Sequence, residues 1–141
     1  MKNLIVVLLA AAAVISTEFP AFADPSNSSA SVVAYYFHGA MRCPTCYKLE
    51  QYAKEVIESD FKEALGSGKL VFKAVNVDDK GNEHYAKDYK LYTKSLVLSL
   101  VKDGKETKWK NLDKIWEYVG HKKKYDEYVK TETAAFLKEA S

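Results

Sequence analysis

The chain carries two cysteines, Cys43 and Cys46, separated by Pro44 and Thr45. Upstream, Val32–Phe37 (VVAYYF) is the β-branched and aromatic run of a strand buried on both faces. Downstream, Leu49, Tyr52, Ala53, Val56 and Ile57 recur at the spacing of an amphipathic helix. The pair therefore sits where a strand and its loop, His38–Arg42, give way to the first turn of a helix. A helix N-terminus offers unpaired N–H groups and partial positive charge, which favour a thiolate at Cys43. Pro44 suits the first helical position, where its missing N–H costs nothing. The spacing sets the two sulfurs one helical turn apart. Cys43 is then the exposed attacking thiol, and Cys46 the more buried thiol that resolves a mixed disulfide.

Two other uses of the same pair stay open. A purely structural disulfide would close only a two-residue loop, which gives little entropic stabilisation. A two-thiolate site at Cys43 and Cys46 for a soft metal or metalloid such as copper or arsenic would need completion by His38 or a second chain. A four-cysteine zinc site is excluded in a monomer, because there is no second C-x-x-C. Arg42 is placed to lower the Cys43 pKa through its charge, or is a solvated loop cation. His38 is a candidate base on the same loop, or a turn histidine; His84 and His121 read as surface residues.

The positioning elements follow along the chain. Met1–Ala23 has the form of a cleaved signal peptide: Lys2, the twelve-residue apolar run Leu4–Ile15, and the small-x-small end Ala21-Phe22-Ala23. Twelve residues fall short of the roughly 20 that span a bilayer. Cleavage near Ala23 is expected to deliver an exported chain, periplasmic or secreted, where disulfide chemistry is sustained. Asp24–Ser31 reads as a flexible leader and residues 32–141 as one domain.

Lys69–Val77 is expected to form a second strand, after a break at Leu65–Gly68. Asp78–Asn82 signals a turn and Glu83–Leu91 a short helix. Ser95–Lys102 is a third strand, Asp103-Gly104 a hairpin turn, and Glu106–Trp109 a fourth strand. Asn111 is placed to cap a helix over Leu112–Val119 that ends at Gly120. Tyr125, Tyr128, Val129, Phe136 and Leu137 mark a last helix. His121–Lys124 reads as a solvated link, and Trp109, Trp116, Tyr118, Tyr125 and Tyr128 as core packing. A strand–helix–strand start implies a right-handed parallel crossover, and the closing hairpin makes the sheet mixed. The expected fold is an α/β sandwich with four to five central strands and helices on both faces.

Composition narrows the function classes. The 21 basic and 19 acidic residues of the 141 leave a net charge of +2, too even for a nucleic-acid binder that works by neutralising phosphates. No glycine fingerprint for a flavin or nicotinamide nucleotide is present, so no cofactor is expected beyond the cysteine pair. The mature chain is expected not to span a membrane and to be monomeric.

The strand–Cys43-Pro44-Thr45-Cys46–helix unit resembles the thioredoxin fold, together with Val75-Asn76-Val77-Asp78, Tyr89–Tyr92 and Leu98–Gly104. The resemblance runs from about Val32 to Leu137 and implies a thioredoxin-like sandwich that exchanges electrons with the thiols and disulfides of partner proteins, including membrane or periplasmic redox partners. More narrowly, Tyr36–Gly39, Arg42–Cys46, Tyr92–Ser95 and Trp109–Leu112 with Ile115-Trp116 resemble a small bacterial group. That group is described as the ArsF-type subunit of a nitrophenyl-compound nitroreductase, which implies an accessory subunit of a redox complex. Two features of thioredoxins are missing. Ser95 or Leu96 stands where they place a cis-proline, and Tyr35 stands near the place of their buried aspartate, the acceptor of the resolving thiol's proton. His38, Arg42, Pro44, Thr45, Ser95 and Leu96 are therefore the residues expected to modulate the site.

Overall fold

Alternating inward and outward side chains make Ala30–His38 (β1) the central strand of the domain: Val32, Ala34 and Tyr36 face one side, and Val33, Tyr35 and Phe37 the other. The computed structural model describes residues 29–141. The signal-peptide region and most of the leader, 1–28, lie outside the described residues. β1 begins two residues inside the expected leader, with Ala30 and Ser31 paired to Lys102 and Val101.

The elements follow as α1 (Pro44–Asp60), α2 (Lys62–Gly66), β2 (Leu70–Asn76), α3 (His84–Asp88), β3 (Ser95–Lys102), β4 (Lys105–Asn111), α4 (Ile115–Tyr118) and α5 (Lys122–Glu139). The sheet has four strands in the order β2-β1-β3-β4. β1 and β2 are parallel, joined by the crossover through α1 and α2, while β3 runs antiparallel to both β1 and β4. The α/β sandwich expected from the sequence, a mixed four-stranded sheet with helices on both faces, is the fold observed.

The two faces are covered unequally. On one, α1 and α5 lie side by side over Val32, Ala34, Tyr36, Leu96, Leu98 and Leu100. Leu49, Ala53, Val56 and Ile57 of α1 meet Tyr125, Val129 and Phe136 of α5 there. On the other, α3, of one and a half turns, is the only helix among the described residues to contribute, and aromatic rings fill the space. Phe37, Tyr89 and Val97 are buried with Tyr35, Tyr85 and Trp109 packed around them. Tyr35 and Phe37 stack at 5.2 Å, and Tyr89 meets Trp109 edge-on at 5.3 Å.

Several boundaries differ from the sequence expectation, each for a visible reason. The break after the first helix comes at Phe61, whose φ of −125° leaves the helical region, and α2 then continues to Gly66. Asn111 does not cap a helix. It ends β4, and the next backbone N–H, that of Leu112, extends the ladder to the Leu96 carbonyl at 2.8 Å. The helix expected over Leu112–Val119 shrinks to Ile115–Tyr118 because Leu112 is wholly buried against the sheet. His121 stands at the N-cap position of α5 without a side-chain capping bond, and Lys122–Lys124 form the first turn of that helix rather than a link, with Lys122 bound to Glu55 and Asp126. The hairpin is as expected: Asp103 and Gly104 both have positive φ, 51° and 74°, as a two-residue turn between twisted strands demands. Beyond it Thr107 is extra in the β4 register, a bulge that bends this lysine-rich edge. Trp116, Tyr118 and Tyr128 pack against the α1–α5 core, Tyr125 is buried in it, and Trp109 packs on the opposite face. No helix among the described residues is long and apolar enough to cross a membrane.

Leu98 sits at the middle of the larger core with no exposure. Replacing it by alanine is expected to cost about 3 kcal/mol, from lost burial plus the cavity left behind, read as a lower urea midpoint at unchanged slope.

Candidate functional site

Cys43 is the N-cap of α1, with extended backbone (φ −97°, ψ 163°), and its Sγ accepts the Cys46 backbone N–H at 3.2 Å. A sulfur in this place takes the role that a serine or aspartate oxygen has at other helix starts. The Cys43 carbonyl receives the first intrahelical bond, from the Tyr47 N–H at 3.2 Å. Pro44 occupies the first helical turn, as its geometry favours, and Thr45 follows half-buried. The two cysteines are joined in a disulfide with Cα atoms 5.0 Å apart. Cys43 is exposed, whereas Cys46 is 2% exposed and faces the sheet. One sulfur is therefore open to a partner and the other is shielded.

The side chain that reaches the pair from beneath is Tyr36, not Tyr35. Tyr36 is fully buried and its hydroxyl donates to the Cys46 carbonyl at 2.7 Å. Tyr35, which the sequence suggested as counterpart of the thioredoxin aspartate, points to the opposite face and stacks on Phe37. The parity of the strand decides this, since neighbouring residues alternate faces. Burial pushes the Tyr36 hydroxyl up to about 12; the nearby Arg42 opposes the rise and Glu50 adds to it.

Arg42 is not a solvated loop cation. Its Nη2 donates to Glu50 Oε2, and the guanidinium lies 4.2 Å from the Tyr47 ring centroid. Glu50 and Tyr47 both belong to α1. Neither drew notice in the sequence, although Cys43–Tyr47 and Cys46–Glu50 are both i, i+4 pairs that share a helix face.

His38, the candidate base of the loop, ends β1. Its Nδ1 is 3.0 Å from the Gly39 carbonyl, and its own carbonyl accepts the Val77 N–H at 2.8 Å. It lines an open cavity of about 280 Å³ with Gly39, Met41, Asp78, Tyr92 and Lys94, and neither cysteine is among the lining residues. Asp78 accepts the Ala40 N–H at 2.7 Å, which ties the loop before Cys43 to the end of β2. Gly39 is needed for that approach, because a Cβ there would lie 2.7 Å from Asp78 Oδ2. The sequence marked Asp78 as a turn residue and as the end of the Val75–Asp78 segment, with no link to the cysteine loop.

Ser95 and Leu96, which the resemblance sets where thioredoxins place a cis-proline, are both buried. Ser95 Oγ donates to the Thr93 carbonyl at 2.9 Å, while Leu96 joins the α1–α5 core. Trp116 Nε1 donates to the Lys94 carbonyl at 2.8 Å and anchors this loop from α4. Met41, Tyr47 and Tyr92 are the large apolar side chains left exposed among the described residues. His84 and His121 are exposed, and His84 pairs with Asp88 at 2.7 Å. No group of three His, Cys, Asp or Glu among the described residues is placed to hold a metal ion.

The variant Tyr36→Phe keeps the ring and removes the bond to Cys46. Stability of the oxidised protein at neutral pH is expected to fall by about 1 kcal/mol, measured by urea unfolding. Because burial raises the hydroxyl, its contribution is complete below the unfolded value near 10 and disappears as pH climbs through about 12. The wild-type protein should lose stability over that range more steeply than the variant.

No family model and no curated protein matches the chain. Among solved structures, it is similar to the X-ray structure of Fasciola hepatica thioredoxin, at 17% identity and a TM-score of 0.43, over 79% of this chain and 82% of that one. A structure described as that of a malarial protein shares 16% identity at a TM-score of 0.41, over 78% and 97% of the two chains. Chlamydomonas reinhardtii thioredoxin f2 shares 15% identity at a TM-score of 0.35, over 68% and 81%.

Proposed function

We propose that the chain is a thiol-disulfide oxidoreductase acting on the thiols or disulfides of partner proteins. The observation that carries this reading is the exposed Cys43 sulfur at the N-cap of α1, held by the Cys46 N–H and bonded to a sulfur that is itself buried. In the reducing direction, the Cys43 thiolate attacks a partner disulfide. One S–S bond forms as another breaks, and the first partner sulfur leaves as a thiolate. Cys46 then loses its proton and attacks Cys43 Sγ, which closes the Cys43–Cys46 disulfide and releases the second partner thiolate. Two electrons pass to the partner. The oxidising direction is the reverse, and Pro44 favours it by leaving the amides of the next turn free to stabilise the reduced thiolate. Met41, Tyr47 and Tyr92 offer apolar contact to a polypeptide partner.

The signal-peptide pattern of Met1–Ala23 supports an exported, periplasmic or secreted location, where such exchange is sustained. The resemblance to the ArsF-type group supports service within a larger redox assembly.

With a disulfide-containing polypeptide and dithiothreitol as electron source, Cys43→Ser should abolish exchange. Cys46→Ser, reduced beforehand and freed of dithiothreitol before mixing, should accumulate a mixed disulfide through Cys43, visible as an adduct on non-reducing gels. Undiminished exchange by Cys43→Ser would overturn the proposal. If the reduced protein bound Cu(I) or arsenite at submicromolar affinity and catalysed no exchange, the two sulfurs would be a metal or metalloid site instead.

A further inference from the structure

We propose that Glu50 is a positioning residue for the cysteine chemistry: by holding the Arg42 guanidinium, it sets how much positive charge the Cys43 sulfur experiences. This rests on the exchange reading above. Arg42 immediately precedes Cys43, and a cation beside a thiol favours its thiolate. Yet the guanidinium is committed elsewhere. It donates to Glu50 and stacks over Tyr47, and the side chains of the pair are only 15% and 22% exposed. At that burial the carboxylate offsets the cation with little screening by salt. Arg42 Nε is also buried and has no hydrogen-bond partner among the described residues, so the guanidinium keeps an unused donor.

The clamp belongs to the same helix that carries the cysteines. Tyr47 is four residues after Cys43, and Glu50 four after Cys46. From the sheet side Tyr36 faces the pair, and on its open side Glu50 shares a groove with Lys54 and Glu58. When the disulfide is opened by a thiol reductant, the new Cys43 thiolate becomes a second anion competing for Arg42. Glu50 holds the cation back. The helix N-terminus alone would otherwise be reinforced by a full charge, giving a lower thiol pKa and a more oxidising pair. The residue tunes the site through Arg42 and touches no substrate.

The test is the isosteric variant Glu50→Gln, with Arg42→Ala and the double variant, in the purified protein. Two quantities are read: the Cys43 thiol pKa, from thiolate ultraviolet absorbance against pH, and the equilibrium with glutathione and glutathione disulfide. Glu50→Gln should lower the pKa by about one unit. It should also move the equilibrium several-fold toward the reduced protein, where tenfold corresponds to about 30 mV. In the Arg42→Ala background the same change should do far less, because the mediator is gone. Unchanged pKa and equilibrium in Glu50→Gln would overturn the proposal, as would an undiminished effect without Arg42. The thiol titration needs no protein partner. Failed exchange with a retained Glu50 effect would therefore fault the exchange reading and leave this one standing.

Discussion

The contact on which the site depends is the docking of the α1 N-terminus onto the central strand β1 and the neighbouring helix α5. Two buried hydroxyls make it. Tyr36 of β1 donates to the Cys46 carbonyl at 2.7 Å, and Tyr125 of α5 donates to the Leu49 carbonyl at 2.6 Å. Both carbonyls lie in the first turns of α1, on the face that also buries Cys46, Leu49 and Ala53. A buried hydroxyl without a partner is costly, so each tyrosine demands this helix in this place. Burial raises the hydroxyl of both, with desolvation as the leading cause. With α1 so fixed, its free N–H groups and the sulfurs they serve stand at one end of the sheet.

Around that contact the chain builds two unlike layers. The α1–α5 side is a largely aliphatic core that also buries Tyr36 and Tyr125, closed by ion pairs such as Lys122–Glu55 and Lys130–Asp60. Those pairs are exposed and contribute little each. The α3 side has one short helix, and a stack of aromatic rings supplies the bulk that a longer helix would have given. There Tyr89 and Ser99 both donate to Glu106, which satisfies two buried hydroxyls from the edge strand. The loops that frame the cysteines are tied down from both layers, by Asp78 at Ala40 and by Trp116 at Lys94.

The arrangement separates three tasks. The helix start presents one sulfur, the fold buries the other, and a cation clamped by α1 precedes the pair along the chain. Because the clamp is built into α1, any change in the seating of that helix moves all three together. This explains why Arg42, which looks like a free loop charge in the chain, is largely buried in the fold.

The alternation of Val32–Phe37, the helical spacing from Leu49 to Ile57, the Asp103-Gly104 turn and the C-x-x-C pair were legible without a structure. Each is a local pattern in which neighbours along the chain decide the outcome. Patterns of that kind suffice for the order of strands and helices and for the place of the cysteines at a helix start. They could not say which of Tyr35 and Tyr36 lies under Cys46, because both faces of a doubly buried strand are apolar and parity alone carries no label. Nor could they keep Asn111 from reading as a cap, since the pull of the Leu96 carbonyl on Leu112 spans the sheet. The partnership of Arg42 with Glu50, the reach of Tyr125 to Leu49 and the tie of Asp78 to Ala40 belong to the tertiary structure. They join residues that local pattern treats as unrelated, and only packing brings the charges and hydroxyls close enough, in a poorly hydrated place, to need one another.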